Sequence, residues 1–205
     1  LAKEGVETIF GYSGGAILPT YDEVFKYNEA NPKNPMPLIV PSNEQGAGFM
    51  ASGYARSTGK PGVVMVTSGP GATNTVTPVR DAMADSIPMV IICGQVSRSA
   101  IGSDAFQEAP ISSVMGSVAK HVFLITNENK LAATLKAAFE VATSGRPGPV
   151  VVDIPKDIQT AEISDEDHEE ANIAAYANRI LAIEESRLSE EKSSEFFVKN
   201  YKLKY

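Results

Sequence analysis

The sequence predicts an α/β fold, a parallel sheet flanked by helices. Three observations carry that prediction. Six short runs are almost wholly apolar, as parallel strands covered on both faces must be. Segments with helical periodicity lie between them and give a βα alternation. Glycine-rich turns follow several of the runs, where a strand hands over to a helix.

The elements follow in order. ETIFGY (7–12) reads as the first strand and 16–28 as its helix. PLIV (37–40) is the second strand, followed by a helix over 45–57. VVMVT (63–67) leads to a helix over 73–85, and MVIIC (89–93) to one over 112–118. HVFLI (121–125) precedes a helix over 130–143, where Leu131, Leu135, Ala138, Phe139 and Ala142 recur at helical spacing. Gly-Arg-Pro-Gly-Pro (145–149) is a sharp loop before the last strand, VVVDI (150–154), with Pro155 after it. Connections between such strands should be right-handed. Residues 158–170 are polar and acidic and read as a linker or exposed surface. Residues 171–191 have helical character, and the last segment mixes aromatic and basic side chains. We therefore expect one α/β domain over 1–161, then an acidic, partly helical tail of unassigned role over 162–205. No internal repeat is visible.

Composition excludes several classes. The chain has 205 residues, 43% hydrophobic, with a net charge of −7, and the acidic excess lies mostly in the tail. That balance argues against nucleic acid or an anionic membrane as partner. No run approaches the roughly 20 apolar residues of a membrane span. The single cysteine, Cys93, allows no intrachain disulfide and reads as a small buried hydrophobe. His121 and His168 show no ligand spacing, so no metal site is assigned. No signal peptide is visible, and the chain opens at Leu1 in what reads as mid-helix.

Four motifs follow strand ends. Gly11-Tyr12-Ser13-Gly14-Gly15-Ala16 could be a plain βα turn or a place where backbone approaches a ligand. In Asn43-Glu44-Gln45-Gly46-Ala47-Gly48, Glu44 could be a helix cap or a working carboxylate, and the small residues suit close packing. Thr67-Ser68-Gly69-Pro70-Gly71-Ala72-Thr73-Asn74 resembles a dinucleotide loop, but the next strand ends in Cys93-Gly94-Gln95 without the acidic residue such a loop needs. The NAD reading is rejected. The polar stretch from Gly94 to Glu108 could be a surface loop or a ligand loop, since ligands bind outside strand C-termini in open parallel sheets.

Together, and in this order, the motifs resemble the catalytic subunit of acetolactate (acetohydroxyacid) synthase. That family reads G-Y-P-G-G-A, H-E-Q-G-A-G, T-S-G-P-G-A-T-N, G-Q-V-P, D-A-F-Q-E and D-x-P-K-D; this chain ends the series with Asp153-Ile154-Pro155-Lys156-Asp157. The resemblance covers residues 1–161 and implies a thiamine-diphosphate-binding fold, with this segment as its pyrimidine-binding domain. It implies that Glu44 hydrogen-bonds the ring nitrogen N1′ of the cofactor and works shielded from water. Tyr12, Gly14 and Gly15 would also bind cofactor. Ala16, Ser97, Phe106 and Gln107 would line the substrate pocket, and Gln107 and Lys156 would act on the substrate beside Glu44. The implied reaction takes CO2 from pyruvate and joins the remainder to a second 2-ketoacid, pyruvate or 2-ketobutyrate, in branched-chain amino-acid biosynthesis. Mg2+ and FAD are implied, with their main sites outside this chain. A second catalytic subunit, as a homodimer or larger assembly, and a regulatory subunit are the implied partners. The compartment would be cytoplasmic in a bacterium, and mitochondrial or plastidic in a eukaryote.

The chain departs from the pattern at Ser13 and Ser97, where the family has proline, and at Asn43, where it has histidine. Residues 28–36 read as a short insertion. The Gly-Asp-Gly motif that binds diphosphate and Mg2+ in the family does not occur, so the 205 residues alone should be inactive. Two other readings stand beside this one: another thiamine-diphosphate enzyme, of pyruvate oxidase or glyoxylate carboligase type, or a non-catalytic remnant serving as an interaction module.

Overall fold

All six apolar runs are strands in the computed structural model, which describes residues 1–163. They are Ile9–Tyr12 (β1), Leu38–Ile39 (β2), Gly62–Val66 (β3), Met89–Gln95 (β4), His121–Leu124 (β5) and Pro149–Pro155 (β6). Every pairing is parallel and the sheet order is β2-β1-β3-β4-β6-β5. β3, β4 and β6 are buried along their whole length, which is why they read as continuous apolar runs. Each fully buried Val or Ile there contributes about 1.5–3 kcal/mol.

The helices are Leu18–Ala30 (α1), Glu44–Thr58 (α2), Pro70–Thr73 (α3), Val76–Ala84 (α4), Ile111–Gly116 (α5), Leu131–Thr143 (α6) and Lys156–Gln159 (α7). Three differ from expectation. The helix expected over 73–85 starts earlier, because Pro70 sits at the first helical position after Gly69. It then breaks at Asn74, since Pro78 has no N–H to donate to the carbonyl four residues back. α7 was not foreseen: Pro155 ends β6 and at once caps a short helix. In α6, Ala138, Phe139 and Ala142 are buried as expected, but Leu131 and Leu135 are only half-buried. The helical opening expected at Leu1 is a 3₁₀ turn over Ala2–Glu4, closed by Gly5 at φ 73°. His168 and the tail expected beyond residue 161 lie, but for its first two residues, outside the described residues.

The strand order fixes where a site can form. Steps from β2 to β3, β3 to β4 and β4 to β5 run one way across the sheet, so right-handed crossovers put α2, α4 and α5 on one face. These helices share one buried cluster, including Ala47, Ala51, Val79, Ala82, Ile111 and Met115. Steps from β1 to β2 and β5 to β6 run the other way and put α1 and α6 on the opposite face. Chains leaving β1 and β3 therefore diverge to opposite faces, and a crevice opens above their C-terminal ends.

The small residues of α2 are mostly used inside the chain. A side chain at Gly48 would collide with Pro78 of α4, and one at Gly62 with the carbonyl of Ala51. The outward face of α2 keeps Phe49 and Met50, 43% and 45% exposed, beside Gly53, which has open space around it.

Candidate active site

The turns that follow β1 and β3, together with the long loop after β4, interlock above the sheet. A Cβ at Gly14 would fall 2.5 Å from Thr67 Cγ2, and the Ala16 N–H donates to Thr67 Oγ1 at 3.3 Å. A Cβ at Gly94 would fall 2.5 Å from the carbonyl oxygen of Ala16. Gly69 has φ 54° and ψ −114°, and a Cβ there would collide with the carbonyl of Gln107. Only glycine meets both demands at Gly69.

Glu44 is the first residue of α2, beside this crevice. The cap of that helix is Asn43, whose Oδ1 accepts from the Gly46 N–H at 2.8 Å. The capping reading of Glu44 therefore falls away, and the substitution of Asn43 for the family's histidine is what supplies the cap. Glu44 Oε2 accepts from Asn74 Nδ2 at 2.9 Å. Asn74 can reach it because Pro78 interrupts the helix there. Glu44 Oε1 lies 3.4 Å from where a Cβ of Gly71 would sit and makes no hydrogen bond among the described residues. The expected shielding from water is not found: Glu44 is half-buried, and its neighbours Ser42, Asn43 and Gln45 are exposed, because this rim of the sheet ends in a two-residue strand.

Beneath the crevice, the Tyr21 hydroxyl donates to the Met65 carbonyl at 2.8 Å. Burial first, and then the charge of Glu44, push its pKa up. Gly11 makes room for it, since a side chain there would collide with the phenol oxygen. Neither Asn74 nor Tyr21 was picked out from sequence. Asn74 closes a loop weighed first as a dinucleotide motif and then as part of the family pattern, but its side chain was given no role, and Tyr21 was not singled out at all.

The other expected site residues divide between two places. Tyr12 is 39% exposed at the end of β1, and Gly15 faces open space. Ser97 is half-buried; Phe106 is 88% exposed, and Gln107 holds the left-handed conformation at φ 56°. The Glu108 carboxylate accepts from the backbone of Gly102 and of Ala105, which holds its pKa below the ordinary range. Arg98 donates to Asp157 from its backbone at 3.0 Å and from Nε at 2.7 Å, and reaches the Thr126 carbonyl at 2.8 Å. With Asp157 so engaged and Asp153 buried, Lys156 makes no ion pair among the described residues. Lys156 begins α7, which is tied to the β1 turn by Gln159: its Nε2 donates to Ala16 O at 2.7 Å and to Ile154 O at 2.9 Å. The fold thus gathers Gly14, Gly71, Asn74 and Glu44 in one crevice and seats Gln107 on the neighbouring turn. No hydrogen bond joins the side chains of Gln107 or Lys156 to Glu44 among the described residues.

Residues 1–117 match the thiamine pyrophosphate enzyme, N-terminal TPP binding domain, family. The chain is 53% identical over 161 residues to "Acetolactate synthase catalytic subunit, mitochondrial" of Saccharomyces cerevisiae, covering 78% of this chain and 23% of that one. It is 48% identical over 163 residues to "Acetolactate synthase large subunit" of Corynebacterium glutamicum, covering 80% and 25%. The Haemophilus influenzae large subunit is 52% identical over 157 residues, covering 77% and 26%. The chain therefore spans about a quarter of the length of the curated relatives it matches.

Proposed function

Because the chain belongs to the thiamine pyrophosphate enzyme family through its N-terminal TPP-binding domain, we propose that it supplies the pyrimidine half of the cofactor site in an acetolactate synthase catalytic subunit. The observation that carries this reading is Glu44: a carboxylate released from capping by Asn43, oriented at Oε2 by Asn74, and left with Oε1 free beside Gly71. Such a group fits the ring nitrogen N1′ of an aminopyrimidine. Thiamine diphosphate, when bound, supplies the electron sink for decarboxylating a 2-ketoacid. Glu44 holds the proton shared with N1′ at Oε1, while Asn74 keeps the carboxylate from turning. Tyr12, Gly14 and Gly15, on the turn after β1, would contact the cofactor from that side.

Ala16, Ser97 and Phe106 wall the substrate pocket. Gln107 and Lys156 orient the carboxylate and carbonyl oxygens of pyruvate and of the second 2-ketoacid, pyruvate or 2-ketobutyrate. Lys156 is supported in that role by its lack of a structural ion pair. Among the described residues no group of three or more His, Cys, Asp or Glu side chains could hold a metal. Mg2+ and FAD, in this reading, belong to other parts of the whole protein. The partners are a second catalytic subunit, for which the exposed Phe49–Met50 face of α2 offers an apolar contact, and a regulatory subunit. Calorimetry tests the reading: the whole enzyme should bind thiamine diphosphate with Mg2+, and Glu44→Gln should weaken or uncouple that binding. Equal binding and equal turnover by the variant would overturn it.

A further inference from the structure

The polar pair Gln95–Asp153 lies under the loop after β4, fully inside the fold. Gln95 is 3% exposed and Asp153 1%. Gln95 uses its whole amide. Its Nε2 donates to Asp153 Oδ2 at 3.0 Å and to the Ala109 carbonyl at 3.3 Å; its Oε1 accepts from the Val96 N–H at 2.8 Å. Val96 and Ala109 are the two ends of one loop. A single side chain thus closes the neck of residues 96–109, and Asp153, projecting from β6, fixes that side chain. Farther out the loop is braced by Arg98 on Asp157 and by Glu108 on its own backbone, and it presents Phe106 and Gln107 at its crest.

We propose that Gln95, held by Asp153, is the positioning residue of the substrate loop: it clasps both ends of residues 96–109 and thereby sets where Phe106 and Gln107 stand. The role rests on the reading of that loop as a substrate wall. The clasp itself does not, and the two can be tested apart. Asp153 Oδ1 has no hydrogen-bond partner, so a neutral acid suits this place better than a carboxylate. Asp153→Asn keeps the shape, leaves an oxygen for Gln95 and should preserve the clasp.

The experiment has two arms. In the 205-residue chain, hydrogen exchange is followed at the Val96 amide and through 97–108. Gln95→Leu removes three hydrogen bonds and should speed exchange there by roughly ten-fold or more, with little change in β3 or in α6. Gln95→Glu leaves the Ala109 carbonyl without its donor and, at pH 8 where Asp153 is ionised, sets two carboxylates against each other, so it should loosen the neck as well. Adding Asp153→Asn to it restores a donor between the two positions and should slow Val96 exchange again. This rescue keeps the test alive should Gln95→Leu fail to fold. In the whole enzyme, Gln95→Leu should lower kcat/KM for the 2-ketoacid by roughly ten-fold or more while thiamine diphosphate binding is kept. Unchanged Val96 exchange, or a double variant no tighter than Gln95→Glu, overturns the clasp. A loosened loop with unchanged kcat/KM overturns the reading of the loop as a substrate wall, and the positioning role with it.

Discussion

Glu44→Gln separates structure from chemistry at this site more cleanly than any other change. Glutamine retains a side-chain oxygen that can accept from Asn74, and the Gly46 N–H is already satisfied by Asn43. The stability cost is then the loss of one negative charge from the first turn of α2, about 0.3–1 kcal/mol at most. Asn43→Ala is the matching control. It removes the cap and should cost about 0.5–2 kcal/mol while leaving the carboxylate in place. On chemistry the order reverses. Glutamine cannot pass a proton to N1′, so cofactor activation should fall by roughly 10²–10⁴-fold, the scale of acid–base catalysis. Denaturant melts of the 205-residue chain measure the first effect; exchange of the thiazolium C2 proton in the whole enzyme measures the second. A folded Glu44→Gln enzyme with near-normal C2 exchange would leave Glu44 as a surface carboxylate and refute the site assignment.

Asn74→Ala should lower C2 exchange less than Glu44→Gln does, and measuring exchange in both variants ranks the aiming of the carboxylate against its presence. Ser97→Pro should raise stability by about 0.4–1 kcal/mol in chemical denaturation, because Ser97 already has φ −56° and its N–H makes no hydrogen bond among the described residues. Asp153 makes stability pH-dependent. Burial lifts its pKa from 3.8 to about 7, against the smaller opposing effect of the Gln95 bond; burial first, and then the charge of Asp153, also pushes up the Cys93 thiol beside it. The folded state therefore holds this proton longer than the unfolded state, so the contribution of Asp153 to stability is fully present below 3.8 and is lost as pH rises towards about 7, by up to about 4 kcal/mol. Asp153→Asn should abolish that component: its denaturation midpoint should equal wild type near pH 4 and exceed it near pH 8. The 205-residue chain, given pyruvate, thiamine diphosphate and Mg2+, should form no acetolactate, which a product assay checks directly.

Most of the fold was legible because its central strands are buried on both faces. Residues 63–66, 89–93 and 150–154 have no solvent side to alternate with, so their apolar runs could hardly be anything but strands of a parallel sheet. What the sequence hid depends on single backbone hydrogen bonds. Pro78 falls in the first turn of α4, where proline is tolerated, and only the missing bond to residue 74 splits the helix. α7 was hidden by Pro155, which ends a strand and starts a helix with the same fixed φ. The half-exposed start of α6 has no counterpart in its periodicity, which continues unbroken through Leu131 and Leu135.

The site was legible unevenly, for a related reason. Motif resemblance points to the groups a ligand would meet, and it is what put Glu44, Gln107 and Lys156 forward. It is silent on the groups that hold them. Asn43 looked like a loss, a histidine replaced, yet its cap is what leaves the Glu44 carboxylate with no structural duty. Asn74 closed a motif that failed as a dinucleotide loop, yet its side chain donates to Glu44 Oε2. Gln95 was read as the end of a strand lacking an acid, and it proves to be a fully satisfied amide at the neck of the loop of residues 96–109. In each case the decisive fact is a partner distant in sequence, joined only by the parallel sheet. Glu44 is half-buried with these partners in place, and its exposed neighbours Ser42, Asn43 and Gln45 mark the side on which a further surface could close over it. A subunit that covered Glu44 would meet the first turn of α2, whereas Phe49 and Met50 lie on the opposite face of that helix and offer a separate apolar contact. Phe49→Asp should therefore shift the whole enzyme's sedimentation towards smaller species, and unchanged sedimentation would show that this exposed face carries no subunit contact.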